Sequence, residues 1–272
     1  MNYRHLYHAG NFADVVKHSV LIALINHFIQ KETSFCCLDT HAGIGLYELN
    51  SIEAQKKQEY ETGVSKLFFS EKNEMPPEIQ EYISIIQKIN TDKQLTFYPG
   101  SPWIAKSLMR DQDKLILCEL HKEDFQTLKA NFCRENNISV HNQDAYLGMK
   151  AFLPPKEKRG FVLIDPPFEV TNEFDCIESS LKIALKHWKS GCFMVWYPIK
   201  DNAPIDRFLK KIATLDVEYI NYRFSIDPEQ AKTALSQCGI LIMNPPWKLS
   251  ETLEKMVLPY LAKKLDAMWE RL

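Results

Sequence analysis

The chain has 272 residues, 45% of them hydrophobic and 25% charged, with 33 basic against 35 acidic side chains and a net charge of −2. These values are ordinary for a soluble globular protein of one large or two small domains, and they argue against a protein that coats nucleic acid by bulk charge. Seven cysteines, an odd number with Cys36 and Cys37 adjacent, do not make a disulfide framework, so a reducing, cytoplasmic setting is expected.

A polar, His-rich start, MNYRHLYHAGN, shows no basic segment followed by an apolar core and cleavage site, so no signal peptide is expected. Residues 12–30 place apolar side chains at helical spacing. Within them VVKHSVLIALINHFI is the longest membrane candidate, but it carries Lys17, His18, Asn26 and His27 and is expected to be an amphipathic helix, not a span. SFCCLD then reads as a short buried strand that ends at Asp39 and runs into the loop THAGIG. Residues 51–93 are rich in Glu, Lys and Gln, with two helical patterns and a Met75-Pro76-Pro77 break, and are expected to form a helical insertion within a single domain, 1–272. LILCE (115–119), ISVHNQD (138–144) and FVLID (161–165) repeat the form of a strand closed by an acid, with helical patterns between them. Alternation of this kind predicts an α/β doubly wound, mostly parallel sheet. Near the end, VEYINYRFSI and CGILIMN read as consecutive strands without an intervening helix, hence an antiparallel edge.

In such a sheet ligands bind beyond the carboxyl ends of the strands, near the topological switch point. Asp39, Glu119, Asp144 and Asp165 all fall there, and a loop with Gly43 and Gly45 follows the first strand. One such acid could merely cap a helix; four with a glycine loop point to a nucleoside-type ligand. Glu119 suits a ribose diol, since a carboxylate accepts from two adjacent hydroxyls, and Asp144 suits an adenine amine. Those roles fit S-adenosylmethionine as well as NAD.

The tetrad Asp165-Pro166-Pro167-Phe168 separates the two. An adenine N6 lone pair is delocalised into its ring, and an Asp oxygen with a neighbouring backbone carbonyl can accept its hydrogens and stabilise the charge that develops on methylation. Pro166 has no amide hydrogen and a fixed φ, so its carbonyl is rigidly aimed, and the Phe168 ring can stack on the base. The stretch LIMNPPWKL (241–249) nearly copies VLIDPPFEV (162–170). It follows the antiparallel pair, however, and Asn244-Pro245-Pro246-Trp247 is expected to be a turn that starts the last helix, with Trp247 packed.

Taken together, YRHLYHAGNFADVVKH, LDTHAGIG, YPGSP, CELH, DPPF and NPPWKL resemble the RlmJ family, S-adenosylmethionine-dependent methyltransferases of an adenine N6 in 23S ribosomal RNA. The likeness spans nearly the whole chain. It implies a class I (Rossmann-like) methyltransferase fold and Asp165, with Pro166 and Phe168, as the catalytic tetrad. It further implies cofactor contacts from His18, His41, Ser101, Glu119, Asp144 and Ala145, and places Tyr3, His5 and Lys17 beside the incoming base. Phe168 stands where the family pattern has Tyr, and Ala145 where Gly is usual. On its own sequence, Ser101 before Pro102 reads as a helix N-cap. The implied partners are S-adenosylmethionine and 23S ribosomal RNA, with no membrane, no metal and a monomeric chain. Cys118, His121, Cys133 and His141 match no standard zinc spacing. An adenine-N6 DNA methyltransferase and a non-catalytic cofactor-binding RNA module are the alternative readings.

Overall fold

The computed structural model describes residues 4–71, 74–91, 94–229 and 235–272. Helix α1 (Phe12–Ile29) leads into β1 (Cys36–Asp39), and a small antiparallel pair, β2 (Leu46–Glu48) with β3 (Phe97–Pro99), brackets helices α2 (Ile52–Lys57), α3 (Val64–Phe68) and α4 (Pro77–Ile89). The chain continues through α5 (Ser101–Leu108), β4 (Lys114–Cys118), α6 (Lys122–Phe132), β5 (Ile138–His141), α7 (Ala145–Phe152), β6 (Gly160–Ile164), α8 (Glu173–His187), β7 (Cys192–Pro198) and α9 (Asn202–Ile212). It closes with β8 (Tyr219–Ile226), β9 (Gln237–Met243), α10 (Leu249–Thr252), α11 (Leu258–Leu265) and β10 (Ala267–Arg271).

Eight strands form one sheet in the order β10-β8-β9-β7-β6-β1-β4-β5. Pairing is parallel from β7 through β6, β1 and β4 to β5, and antiparallel between β7 and β9, β9 and β8, and β8 and β10. The chain winds outward from β1 to β4 and β5, then returns to build β6 and β7 on the other side, which puts the switch point between β1 and β6. This is the doubly wound sheet the sequence predicts. Its antiparallel flank extends one strand further than the sequence reading, because β10 covers β8 and moves the edge outward. The short, mostly exposed β10 (AMWER) lacks an apolar run, and the buried β7, parallel to β6, is a further strand that the sequence reading did not assign.

Helix α1 departs from the expected amphipathic surface helix. It is long and apolar enough to cross a bilayer by length and composition, but 83% of it is buried inside the protein. Side chains from Phe12 to Ile25 are buried all round, Asp14, Lys17, His18 and Ser19 included. The reason is its position: α1 packs on α4 and α5 and touches α10 and α11, so it has no wet face. Helix α4 in turn buries Ile79, Tyr82, Ile83 and Ile86 in the same core. Among the described residues of 51–93 lie three α-helices, of which α3 and α4 continue the core of the sheet through their apolar faces.

The glycine in HAGN fixes this junction. Gly10 adopts φ +79°, a left-handed conformation in which a side chain is strained, and a Cβ there would lie 2.8 Å from Val64. Its carbonyl accepts the Val64 N–H at 2.8 Å, tying the N-terminal segment to α3.

The two Pro-Pro motifs lie at opposite ends of the sheet. Asp165 follows the carboxyl end of β6. Asn244 follows β9, which runs the other way, and Met243 pairs with Phe193 near the start of β7. Asn244, at φ +49°, donates through its amide to the Lys189 and Gly191 carbonyls at 2.9 and 2.8 Å. The turn does lead into α10, as expected, but Trp247 does not pack: it is 81% exposed, with the Lys248 ammonium 4.3 Å from its ring centre. Asn244→Ala removes both amide bonds and leaves in the left-handed region a residue that tolerates it less well than asparagine, so it should lower unfolding free energy by about 1–3 kcal/mol in urea titration. Trp247→Ala should change it by less than about 0.5 kcal/mol; the reverse order would restore the packing role to Trp247.

Candidate active site

The N-terminal block builds one wall of the site. Asn11 caps α1, its side chain accepting the Asp14 N–H at 2.9 Å. One turn apart on the helix, Asp14 and Lys17 share a face, and the Lys17 ammonium donates to Asp14 Oδ1 at 2.7 Å. The same ammonium donates to Asp165 Oδ2 at 2.5 Å, bridging α1 to the end of β6. Asp14 Oδ2 accepts the Gly10 N–H and pairs with His5 Nε2, both at 2.9 Å. His5, Asp14, Lys17 and Asp165 are therefore one connected chain of polar contacts.

Burial and charge compete in this chain. Burial alone would raise the Asp14 carboxyl, but His5 and Lys17 overcome it and hold the group well below the usual carboxylate range. Burial would likewise depress the Lys17 ammonium, yet Asp14 and Asp165 keep it above its ordinary value. Lys17, 4% exposed, is thus a fixed cation in the interior.

Below the bridge, β1 ends at Asp39, 1% exposed, whose carboxyl is pushed up to about 7 by burial against the opposing hydrogen bonds of Ser101 and His41. The Ser101 hydroxyl donates to Asp39 Oδ2 at 2.7 Å and makes no cap bond; the N-cap of α5 is Gly100. The expected N-cap role for Ser101 is therefore wrong: the helix starts one residue earlier, with Ser101 already inside its first turn, and the hydroxyl is turned to the buried Asp39 instead. His41 donates its N–H to Asp39 Oδ1 at 3.2 Å, and burial pushes its imidazole down to about 3. His18, 1% exposed, pairs through Nδ1 with the Tyr98 hydroxyl at 2.7 Å, which meets the Tyr82 hydroxyl at 2.7 Å. Burial, then the neighbouring Lys17 charge, pushes that imidazole down to about 3 as well, so both rings are neutral at physiological pH.

Glu119 stands one residue past β4 with each oxygen fixed by backbone: Oε2 accepts the Gly43 N–H at 2.9 Å and Oε1 the His121 N–H at 2.7 Å. Burial raises its carboxyl. Gly43 is held at φ +60°, where a Cβ would meet the Tyr47 hydroxyl at 2.3 Å, so glycine is required for the loop to approach Glu119. Asp144 caps α7 through Oδ1, which accepts the Tyr146 and Leu147 N–H groups at 3.0 Å each; Oδ2 makes no hydrogen bond among the described residues. Ala145 is buried beside it.

A cavity of about 750 Å³ opens among these groups, in the range of small-molecule clefts. His18, His41, Ser101, Glu119, Asp144 and Ala145 line it, and so do His5, Lys17, Asp165, Pro166 and Phe168. Tyr3 lies outside the described residues. Phe168 adopts φ +48°, a costly conformation for an aromatic residue, and its ring packs on Phe174 and edge-on to Trp196, with centroids 5.0 and 6.2 Å apart. Trp196, from β7, also lines the cavity and lies 5.8 Å from the Lys17 ammonium.

Asp14 and Trp196 escaped the sequence reading. Asp14 had a signal, an opposite charge three residues before Lys17 inside an apolar helix; Trp196 had none, being one aromatic in an apolar strand. All seven cysteines are free thiols, and no group of three or more His, Cys, Asp or Glu side chains is placed to hold a metal among the described residues. Arg159, last of the basic run 156–159, donates to the Thr33 and Phe28 carbonyls at the far end of β6, away from the cavity.

Comparison with known proteins gives this arrangement a family. The family model described as "Ribosomal RNA large subunit methyltransferase D, RlmJ" matches residues 32–270. The chain is 38% identical to "Ribosomal RNA large subunit methyltransferase J" of Haemophilus influenzae and 35% identical to the protein of that name from Escherichia coli K12, in each case over 97% of this chain and 94% of the relative. The crystal structure of protein LPL1258 from Legionella pneumophila superimposes with a TM-score of 0.90 at 32% identity, covering 97% of this chain and 98% of that one. The chain belongs to the RlmJ family of methyltransferases.

Proposed function

We propose that this protein transfers a methyl group from S-adenosylmethionine to the exocyclic N6 of an adenine in 23S ribosomal RNA. The observation that carries the reading is the place of Asp165. It lies at the switch point, bridged to Lys17, on the same cavity as Glu119 and the Gly43 loop. The names of the relatives supply the ribosomal RNA.

The residues fit the cofactor. Glu119 lines the cavity and each of its oxygens accepts one backbone bond, which leaves acceptor capacity for the ribose hydroxyls, and Asp144 Oδ2 is available to the adenine amine. Gly43 and the loop that carries it line the same cavity as Glu119. Bound here, S-adenosylmethionine supplies an electrophilic sulfonium methyl.

The chain's own groups then prepare the nucleophile. Lys17 occupies Asp165 Oδ2, which leaves Oδ1 to accept one hydrogen of the target amine; the Pro166 carbonyl is the second acceptor. Accepting both hydrogens draws the nitrogen lone pair out of the ring and stabilises positive charge as the new bond forms. Phe168, backed by Phe174 and Trp196, offers an aromatic wall for the base and excludes water. The transfer is a direct displacement without a covalent enzyme intermediate: the N–C bond forms as the methyl–sulfur bond breaks, and the amine then sheds one proton. Alignment of nitrogen and methyl supplies much of the acceleration, for which about 7–11 kcal/mol is attainable by positioning. The base must leave its stack to reach a strand-end cavity, which suits loops and helix ends of RNA.

Incubation with labelled cofactor and either unmodified 23S ribosomal RNA or DNA tests the polymer, and label in RNA alone is expected. Asp165→Ala should lower methyl transfer at least about 10³-fold while leaving cofactor affinity within about twofold, since the acid faces the base. Retained turnover in that variant would sink the assignment. Glu119→Ala should weaken cofactor binding by roughly 10–100-fold in calorimetry, the loss of bonds to a charged acceptor; unchanged affinity would refute the ribose role.

A further inference from the structure

We propose that Asp14 is the positioning residue of this site: one carboxylate fixes His5 and Lys17 and, through Lys17, sets where Asp165 points. The inference rests on the methyltransferase reading above and concerns how that site is held.

Three observations carry it. Asp14 is 3% exposed, so partners rather than water orient its side chain. Its oxygens are divided between functional neighbours, Oδ1 to the Lys17 ammonium and Oδ2 to His5 Nε2 and the Gly10 N–H. Helix α1 does not need that carboxylate to start, because the Asp14 N–H is capped by Asn11, which Glu59 holds in turn through a 3.0 Å bond. The charge of Asp14 therefore serves the groups around the cavity more than the helix that carries it.

The consequence for chemistry follows from sharing. Lys17 divides its ammonium between two carboxylates, at 2.7 and 2.5 Å. With the Asp14 charge removed, the ammonium already 2.5 Å from Asp165 loses its second anchor and its charge is no longer shared. The existing ion pair then reorients, so that Asp165 Oδ1, the acceptor meant for the target amine, is weakened and turned from its line. Turnover suffers while binding does not.

The test compares Asp14→Asn, which keeps the size and removes the charge, with Asp14→Glu, which keeps the charge and adds a methylene. Both are made in the full chain and assayed for transfer to 23S ribosomal RNA, cofactor affinity and melting temperature. Asp14→Asn should lose about 100-fold in kcat, the scale of a small misplacement of a reacting group. Its KM for RNA and its cofactor Kd should stay within about threefold of the parent. Asp14→Glu should keep more kcat than Asp14→Asn despite its poorer fit. A packing role predicts the opposite order, with kcat following the folded fraction, and that result overturns the proposal, as does an Asp14→Asn protein that no longer folds or binds cofactor. The parent protein in the same assay separates the two claims. A parent that transfers no methyl group defeats the methyltransferase reading, whereas parent-like kcat in Asp14→Asn defeats only this one.

Discussion

A buried ammonium held by two carboxylates constrains the rest of this structure. A charge removed from water is tolerated only when paired, and breaking such a pair costs about 3–5 kcal/mol. Lys17 meets that demand with one partner from its own helix and one 148 positions later, at the end of β6. Satisfying both forces the first turn of α1 to sit over the switch point between β1 and β6. The remaining length of the helix must then run through the core, flanked by α4 and α5, and its apolar sequence on every face follows from that course.

The helical segment between β2 and β3 supports the same arrangement. Glu59, 4% exposed, accepts from Asn11 and pairs with His8, while Val64 binds the Gly10 carbonyl. These contacts hold the stretch that carries His5 against the cavity. The other wall is simpler: strand ends present Asp39, Glu119 and Asp165 along one edge of the sheet because neighbouring parallel strands stop in step. Leu38 pairs with both Ile116 and Val162.

Much of this was legible in the sequence. Short apolar runs closed by acids marked β1, β4, β5 and β6 in their order of appearance, since buried strands need no alternation, but they missed the parallel strand β7, which ends at Pro198 and has no closing acid. Three of the four acids those runs placed at strand ends, Glu119, Asp144 and Asp165, line one cavity, whereas Asp39 is buried beneath it and does not. What stayed hidden depended on tertiary contacts. The all-round burial of α1 could not be told from an amphipathic helix, because its few polar residues find partners inside the protein. Ser101 before Pro102 spelled an N-cap, but the nearby Asp39 claimed the hydroxyl. Trp247 looked like a packing residue and stands in solvent. The twin Pro-Pro motifs differ through strand direction alone: β6 delivers its tetrad to the cavity edge and β9 delivers its copy to the opposite one, where Asn244 ties a turn.

The central claim is that Asp165 and its neighbours activate an adenine amine of ribosomal RNA. Its most direct test is complete digestion of 23S ribosomal RNA after reaction with labelled S-adenosylmethionine, followed by chromatographic identification of the labelled nucleoside. The account predicts N6-methyladenosine as the labelled product, absent when Asp165→Ala replaces the parent. Label in any other nucleoside, or in N6-methyladenosine made equally well by the variant, would contradict it.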